Sequence, residues 1–336
     1  MPQKTFRAAL NEALHQEMAA DPRVVIFGED ITGGKGGDGE VDAWGGAFGV
    51  SKGLLHAFGP GRVLDTPITE SAFVGAAAGA ALTGLRPVVE IMFVDFIGVC
   101  LDQVMNQAAK FRYMFGGKAR TPMVLRATFG GGARSASQHS QALYPIFTHI
   151  PGLKVVIPSN PADAKGLLIQ AIRDDDPVIF LEHKMLYDDL GEVPDRPYAT
   201  PFGEARVVRE GKDATIVALG RMVGRAEQAA RVLAAEGIQV TIIDPRTTSP
   251  LDTDTILEFA AETGRVVVVD EASPRCGMAA DIASLIVEEG FDTLKAPILK
   301  VTPPHTPVPY SPALEDAYLP SVARIADAVR RVVNHA

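Results

Sequence analysis

Apolar runs alternate with helix-period stretches along almost the whole of this 336-residue sequence. VVIFGED (24–30), RVLDTPI (62–68), PVVEIMF (87–93), PMVLRAT (122–128), KVVIPS (154–159) and PVIFLEH (177–183) are apolar at successive positions, not at every second one. Strands of that kind expect cover on both faces. Helical patterns over 72–83, 97–115 and 161–173 separate them, and Phe6, Ala9, Leu10, Ala13, Leu14 and Met18 share one helical face ahead of Asp21-Pro22. The 161–173 helix is marked at its start. Asn160 can cap it, Pro161 fits the first turn, Asp163 suits the dipole, and Ala164, Leu167, Leu168, Ala171 and Ile172 form the apolar stripe. Buried strands joined by helices specify an α/β fold with a parallel sheet covered on both sides.

The rhythm lapses over 184–205, where prolines stand at 194, 197 and 201. It resumes with DATIVALG (213–220), IQVTIID (238–244), RVVVVDEA (265–272) and PILKVTP (297–303), spaced by helices near 224–236, 254–263, 277–290 and 321–333. The chain therefore reads as two α/β domains with largely parallel sheets, over 1–185 and 206–336, joined by a linker at 186–205. A net charge of −9 argues against nucleic acid as a partner. Two cysteines, Cys100 and Cys276, are too few for a disulfide scaffold or a thiolate metal site, and point to a reducing compartment. No signal-peptide core and no apolar stretch of membrane-spanning length stands out, so a cytoplasmic protein with no membrane partner is expected.

In open α/β sheets ligands gather beyond the carboxyl ends of strands. Glu70 lies there, after RVLDTPI and at the start of a helix. It can cap that helix or sit in solvent. Alternatively, among Pro67, Ile68 and Val74, it can be buried with a raised pKa and trade protons near neutrality. His139, after the loose segment FGGGARSAS (129–137), is either a surface histidine or a general acid or anion-binding donor. The end of the 161–173 helix offers free carbonyls beside Asp174 and Asp176. It is either a plain acidic helix end or a cation site of backbone oxygens. Gly37-Asp38-Gly39 starts like a metal–diphosphate motif, but no asparagine pair follows at helical spacing, and no GxxxxGK[ST] loop exists. Gly75, Gly79 and Gly84 suit close helix packing. Trp44 can anchor a loop or face a partner, and His305 in PPHTPVPY reads as structural or interfacial.

Together, GED (28–30), DTPITE (65–70), GLRPVVEIMFVDF (84–96), DQVMNQAAKFRYMFGG (102–117), QHSQ (138–141), HIPGLKVVIPSNPADAKGLL (149–168), AIRDDDPVIFLEH (171–183), DEASPRCGMAADI (270–282) and TPVPY (306–310) resemble the β subunit of the thiamine-diphosphate-dependent first component of 2-oxo acid dehydrogenase complexes. The resemblance covers nearly the whole chain. It implies a transketolase-like fold, with a pyrimidine-binding domain followed by the superfamily's C-terminal-type domain. It also implies an α subunit that holds the diphosphate and Mg²⁺, an α2β2 assembly, and a lipoyl-bearing dihydrolipoyl acyltransferase core as partner.

By the same resemblance Glu70 is the cofactor-activating glutamate. It shares a proton with the pyrimidine ring so that the thiazolium can lose its own. Glu29, Met92 and Phe96 would line the cofactor, with Phe96 against the pyrimidine. His139 would serve substrate binding and acyl transfer to lipoamide. Met123, Ala171, Ile172, Asp174 and Asp176 would hold potassium, mostly through backbone oxygens. The segment at 33–54, with its DAWGG end, together with PHTPVP, resembles the acetoin dehydrogenase branch. Acetoin is therefore the expected substrate, ahead of pyruvate and then branched-chain 2-oxo acids. The acidic run LEDAY (314–318) is either a solvated loop or a meeting point for a basic patch on the acyltransferase core.

Overall fold

Thr5 opens the first long helix, Phe6–Ala20, by accepting a hydrogen bond from the Ala8 amide at 3.1 Å. The six residues of its expected apolar face are all buried. The structure, a computed structural model, describes residues 1–33 and 44–335. Gly37-Asp38-Gly39 and most of the Gly-rich acidic stretch lie outside the described residues. The chain divides into two units, Met1–Phe129 with Ile146–Phe202, and Gly130–Pro145 with Gly203–Ala336.

The first unit contains strands β1 (Gln3–Thr5), β2 (Val24–Gly28), β3 (Val63–Asp65), β4 (Arg86–Phe93), β5 (Val124–Phe129), β6 (Lys154–Val156), β7 (Val178–His183) and β8 (Leu190–Glu192). Six of them lie side by side in the order β6-β7-β5-β4-β2-β3, every neighbouring pair parallel. The chain leaves β2 toward β3 on one side and leaves β4 toward β5 on the other. The carboxyl ends of β2 and β4 therefore flank a topological switch point, the place where such sheets open a crevice. Helices Phe6–Ala20 and Pro161–Arg173 pack together against the sheet, and Val24, Ile26, Val88, Val124, Val178 and Phe180 supply its side of the core. The Asn160 side chain accepts from the Asp163 amide at 2.9 Å, and Pro161 takes the first turn, as the sequence expects.

Three local features depart from expectation. The 97–115 stretch is not one helix. It divides into a 3-10 turn at Val94–Val99, a π-helical segment at Gln103–Ala108 and an α-turn at Phe111–Met114. A 3.6-residue period does not distinguish these windings over so few turns. Of Gly75, Gly79 and Gly84, only Gly75 makes a close approach, since a Cβ there would stand 2.9 Å from Gln103 Oε1. Gly79 has open space, and Gly84 has φ of +100° in a turn. The stretch after 186 is not a free linker either. β8 pairs antiparallel with β1, and buried Lys165 donates to the carbonyls of Pro194 at 2.6 Å and Asp195 at 3.1 Å.

In the second unit strands β9 (Arg206–Arg209), β10 (Ala214–Ala218), β11 (Val240–Asp244), β12 (Thr247–Ser249), β13 (Val266–Val269) and β14 (Leu299–Val301) occur in sequence. A five-stranded sheet runs β14-β13-β10-β11-β9, parallel except for β9 at its edge. Helices Met222–Ala234 and Val322–Val333 cover one face through Ala226, Ala230, Leu233, Ile325 and Val329. Among the described residues, no helix is long and apolar enough to cross a membrane.

Candidate active site

Four of the residues singled out from the sequence gather at the carboxyl ends of β2, β3 and β4. Glu29 follows β2 directly, Glu70 begins the Glu70–Leu82 helix after β3, and Met92 and Phe96 close β4 and the 3-10 turn that follows it. These strands are neighbours in the sheet, so the four residues share one edge of it. Glu29, Glu70, Met92 and Phe96 are all half-buried. The Phe96 ring meets Phe93 edge-on at 5.7 Å, and Phe93 in turn meets Phe48 at 5.5 Å.

The backbone path to Glu29 is fixed by a close approach. A Cβ on Gly28 would lie 2.5 Å from the Glu90 carbonyl oxygen of β4. Gly28→Ala is therefore expected to destabilise the chain by about 1–3 kcal/mol through overpacking. Urea unfolding checks this; a midpoint equal to that of the parent would remove the argument. On the far side, Thr32 donates its amide to Asp65 Oδ1 at 2.7 Å and its hydroxyl to Asp65 Oδ2, which ties the loop after Glu29 to the end of β3.

The electrostatics of the edge are unusual. Glu29 is held above the ordinary carboxylate pKa, first by burial, then by the negative charge of Glu70 and of Asp30. Cys100 feels Glu70 as well: burial and that charge push its thiol up to about 12. Glu29 Oε1 and Thr66 Oγ1 are buried without a hydrogen-bond partner among the described residues. Buried polar atoms are nearly always satisfied, so two orphans at a switch point fit a cradle for a polar ligand. The apolar wall expected around Glu70 is incomplete within this chain: Val74 is buried, but Pro67 is exposed and Ile68 is 81% exposed.

Beneath this edge lies a charged cluster that the sequence reading missed. Arg126 of β5 donates to Glu182 of β7 at 2.7 and 2.8 Å and to Glu90 of β4 at 2.6 Å, and the Tyr187 hydroxyl donates to Glu182 at 2.8 Å. The signal was present. Glu90 and Arg126 interrupt apolar strand runs and Glu182 lies near the end of one, and Glu90 stands beside Arg126 in the parallel register.

The proposed potassium residues lie at the opposite edge, before β5 and β7. The Met123 carbonyl accepts from the Val178 amide at 2.9 Å, and Arg86 donates to the Ile172 and Asp174 carbonyls at 3.0 and 2.8 Å. The Ala171 carbonyl accepts from the Asp174 amide at 3.3 Å. The Asp174 carboxylate takes Lys154 at 2.7 Å, and Asp176 pairs with Arg112. Each of these carbonyl oxygens has a second lone pair left for a shared cation.

His139 belongs to the other unit. It ends the 3-10 turn Ser137–His139 and is half-buried. The same segment rims a cavity of about 450 Å³ with Ser273, His305 and Tyr318, where Ser273 Oγ and His305 Nδ1 lie 2.8 Å apart. In LEDAY (314–318), Leu314, Asp316 and Ala317 are exposed, while Glu315 and Tyr318 are buried. Its Glu315 is fully buried and accepts from the Gly132 amide at 2.7 Å and from Arg134 at 2.8 Å, while Asp316 also pairs with Arg134 at 2.8 Å. The Glu315 charge is thus spent inside the unit, while the Asp316 side chain stays 65% exposed. Trp44 is 66% exposed.

Residues 2–189 match the transketolase pyrimidine-binding domain and 203–325 the transketolase C-terminal domain. The chain belongs to the transketolase family. It is 63% identical over 98% of its length to the β subunit of an acetoin:2,6-dichlorophenolindophenol oxidoreductase from Cupriavidus necator, covering 97% of that protein. The corresponding Bacillus subtilis subunit is 55% identical over 94% of this chain and 93% of its own. A pyruvate dehydrogenase E1 component subunit beta from Rhizobium meliloti is 46% identical over 99% of this chain and 70% of its own. Among solved structures, an inactive β4 tetramer of a split-gene transketolase superposes with a TM-score of 0.77 at 24% identity, over 98% of both chains. The transketolase-like α/β fold and the β-type oxidoreductase subunit expected from the sequence both stand.

Proposed function

We propose that this transketolase-family chain is the pyrimidine-side half of a thiamine-diphosphate-dependent enzyme that cleaves acetoin and passes the acetyl group to lipoamide. The observation that carries the reading is the Glu29–Glu70 pair near the switch point, where Glu29 Oε1 and Thr66 Oγ1 are buried with no hydrogen-bond partner among the described residues. Bound thiamine diphosphate supplies the stabilisation of carbanion character that the carbon–carbon cleavage needs. Glu70 would hold or release a proton at the pyrimidine ring. Glu29, its pKa raised by burial and by Glu70, would let one proton move between the two carboxyls without placing two negative charges side by side. Phe96 and Met92 would bound the ring and keep water from that proton. His139 would orient substrate oxygen and the incoming lipoyl group.

The bond between the carbinol and carbonyl carbons of acetoin breaks and acetaldehyde leaves. The lipoamide disulfide is reduced as it takes the acetyl group, so atoms and electrons balance. The diphosphate and Mg²⁺ fall to an α subunit in an α2β2 assembly, and the lipoyl group to a dihydrolipoyl acyltransferase core. Tyr113, Met114, Phe115, Val99 and Ile68, all exposed and apolar, support a surface that a partner chain covers. Potassium, if held by Met123, Ala171, Ile172, Asp174 and Asp176, would share oxygens with Arg86. A cytoplasmic setting is part of the same reading and is supported by the unpaired Cys100 and Cys276.

The greater identity to the two acetoin enzymes than to the pyruvate enzyme favours acetoin. Co-expression with an α partner, followed by assay of both substrates with an artificial electron acceptor, tests it. Turnover of acetoin that depends on added thiamine diphosphate is expected. Turnover of pyruvate alone would overturn the substrate, and no cofactor-dependent turnover of either would overturn the function.

A further inference from the structure

We propose that Arg134 is a positioning residue for His139, acting by clamping a strained turn of the second unit; the inference rests on the role given to His139 above. The segment Gly130–Pro145 carries two non-glycine residues with left-handed backbone, Arg134 at φ of 59° and Ala136 at φ of 61° and ψ of −175°. The Ala136 conformation is one that glycine alone adopts readily, and such strain persists only where the surroundings over-determine it. Ala136 immediately precedes the Ser137–His139 turn.

The surroundings do over-determine it. On one side Arg134 makes three bonds, to Glu315 Oε2 at 2.8 Å, to Asp316 Oδ1 at 2.8 Å and to the Pro312 carbonyl at 2.9 Å. On the other, Ser137 Oγ donates to the Val308 carbonyl at 2.6 Å. Gly131 and Gly132 anchor the approach, donating to Glu271 at 2.6 Å and Glu315 at 2.7 Å. Glu315 is fully buried, and a buried carboxylate demands a cation and hydrogen-bond donors. Arg134 is the cation. Its planar fork fixes the turn as well as the charge, which a lysine would not do. The Arg134–Glu315 pair therefore converts the packing of the Pro312–Tyr318 helix into the placement of a histidine two residues beyond Ser137.

The test uses the assembled enzyme with its α subunit, comparing Arg134→Gly, Arg134→Lys and Glu315→Gln with His139→Ala. Glycine relaxes the backbone at 134 while deleting the guanidinium, so its effect reports on the clamp and not on strain. The glutamine variant keeps the side chain's shape and an acceptor for Gly132, which covers the case in which an Arg134 variant folds poorly. Arg134→Gly is expected to lower kcat/KM for acetoin by about 10- to 100-fold per cofactor-binding site, the scale of an ångström-level misplacement. Arg134→Lys should lose less, and Glu315→Gln should follow Arg134→Gly. Amide hydrogen exchange over 131–140 should quicken in the same order, while the β11 strand keeps its protection. Undiminished kcat/KM in Arg134→Gly, beside an impaired His139→Ala enzyme, overturns the positioning role. So does unchanged exchange, or a loss explained entirely by fewer folded sites. An unimpaired His139→Ala enzyme overturns instead the role of His139 on which the inference rests.

Discussion

Glu70→Gln in the assembled enzyme is expected to lose roughly 10²–10⁴-fold in kcat, the range attributed to a positioned acid or base, while chain folding and subunit assembly stay intact. The fold tolerates the change because Glu70 is half-buried at a helix start and its cap residue, Thr69, makes no side-chain cap hydrogen bond. The chemistry does not tolerate it, because an amide has the shape of the acid but cannot carry the proton. A second consequence separates this reading from a generic loss of binding. Glu70's charge is one cause of the raised pKa of Glu29. Removing it lets Glu29 ionise at lower pH, though burial still holds it above the ordinary range. The variant's residual activity should therefore show its alkaline limb displaced toward lower pH. A Glu70→Gln enzyme with parental kcat would sink the catalytic assignment. A large loss with the alkaline limb unmoved would keep Glu70 and remove its coupling to Glu29.

The layered sheet was legible in the sequence because strands covered on both faces are apolar at most successive positions. Val24–Gly28, Val124–Phe129 and Val178–His183 were found that way, and the helix at Pro161–Arg173 by its cap. Three-residue strands such as Gln3–Thr5 and Leu190–Glu192 are too short to show a period, so their pairing went unread. Glu70 was reachable from its place after a strand, and its role from the family resemblance. The part played by Glu29 was not, since its raised pKa arises first from burial and then from the charge of a neighbour forty-one residues along the chain. LEDAY shows the same limit. Alternation of charge in a sequence does not reveal that Glu315 faces inward onto Arg134.

Arg126→Met is expected to be the most destabilising single change in the first unit. The arginine is fully buried between two carboxylates, and deleting it leaves Glu90 and Glu182 without a cation in a low-dielectric interior. Breaking a buried ion pair from one side costs about 3–5 kcal/mol, far more than the pair contributes over a well-packed apolar replacement. The pH dependence follows from Glu90. Burial already raises its pKa in the native chain, with Glu182 adding to the rise and Arg126 opposing it. Without Arg126 the rise is larger, so the folded variant binds a proton that the unfolded chain releases. Its stability deficit should therefore be full above the raised folded pKa. It should shrink as pH falls toward the ordinary glutamate value of about 4.3 in the unfolded chain. Urea unfolding of the purified chain at about pH 8 and about pH 5.5 measures this. The Tyr187 hydroxyl, which bonds Glu182 at 2.8 Å, links the cluster to the ring of Phe48, stacked on Tyr187 at 5.6 Å, and through Phe48 to Phe93 and Phe96. Loss of Arg126 should for that reason loosen the aromatic floor of the Glu29–Glu70 edge as well as the core. A variant equal to the parent at about pH 8, or weaker at about pH 5.5 than at about pH 8, would show that the cluster does not hold its charges as described.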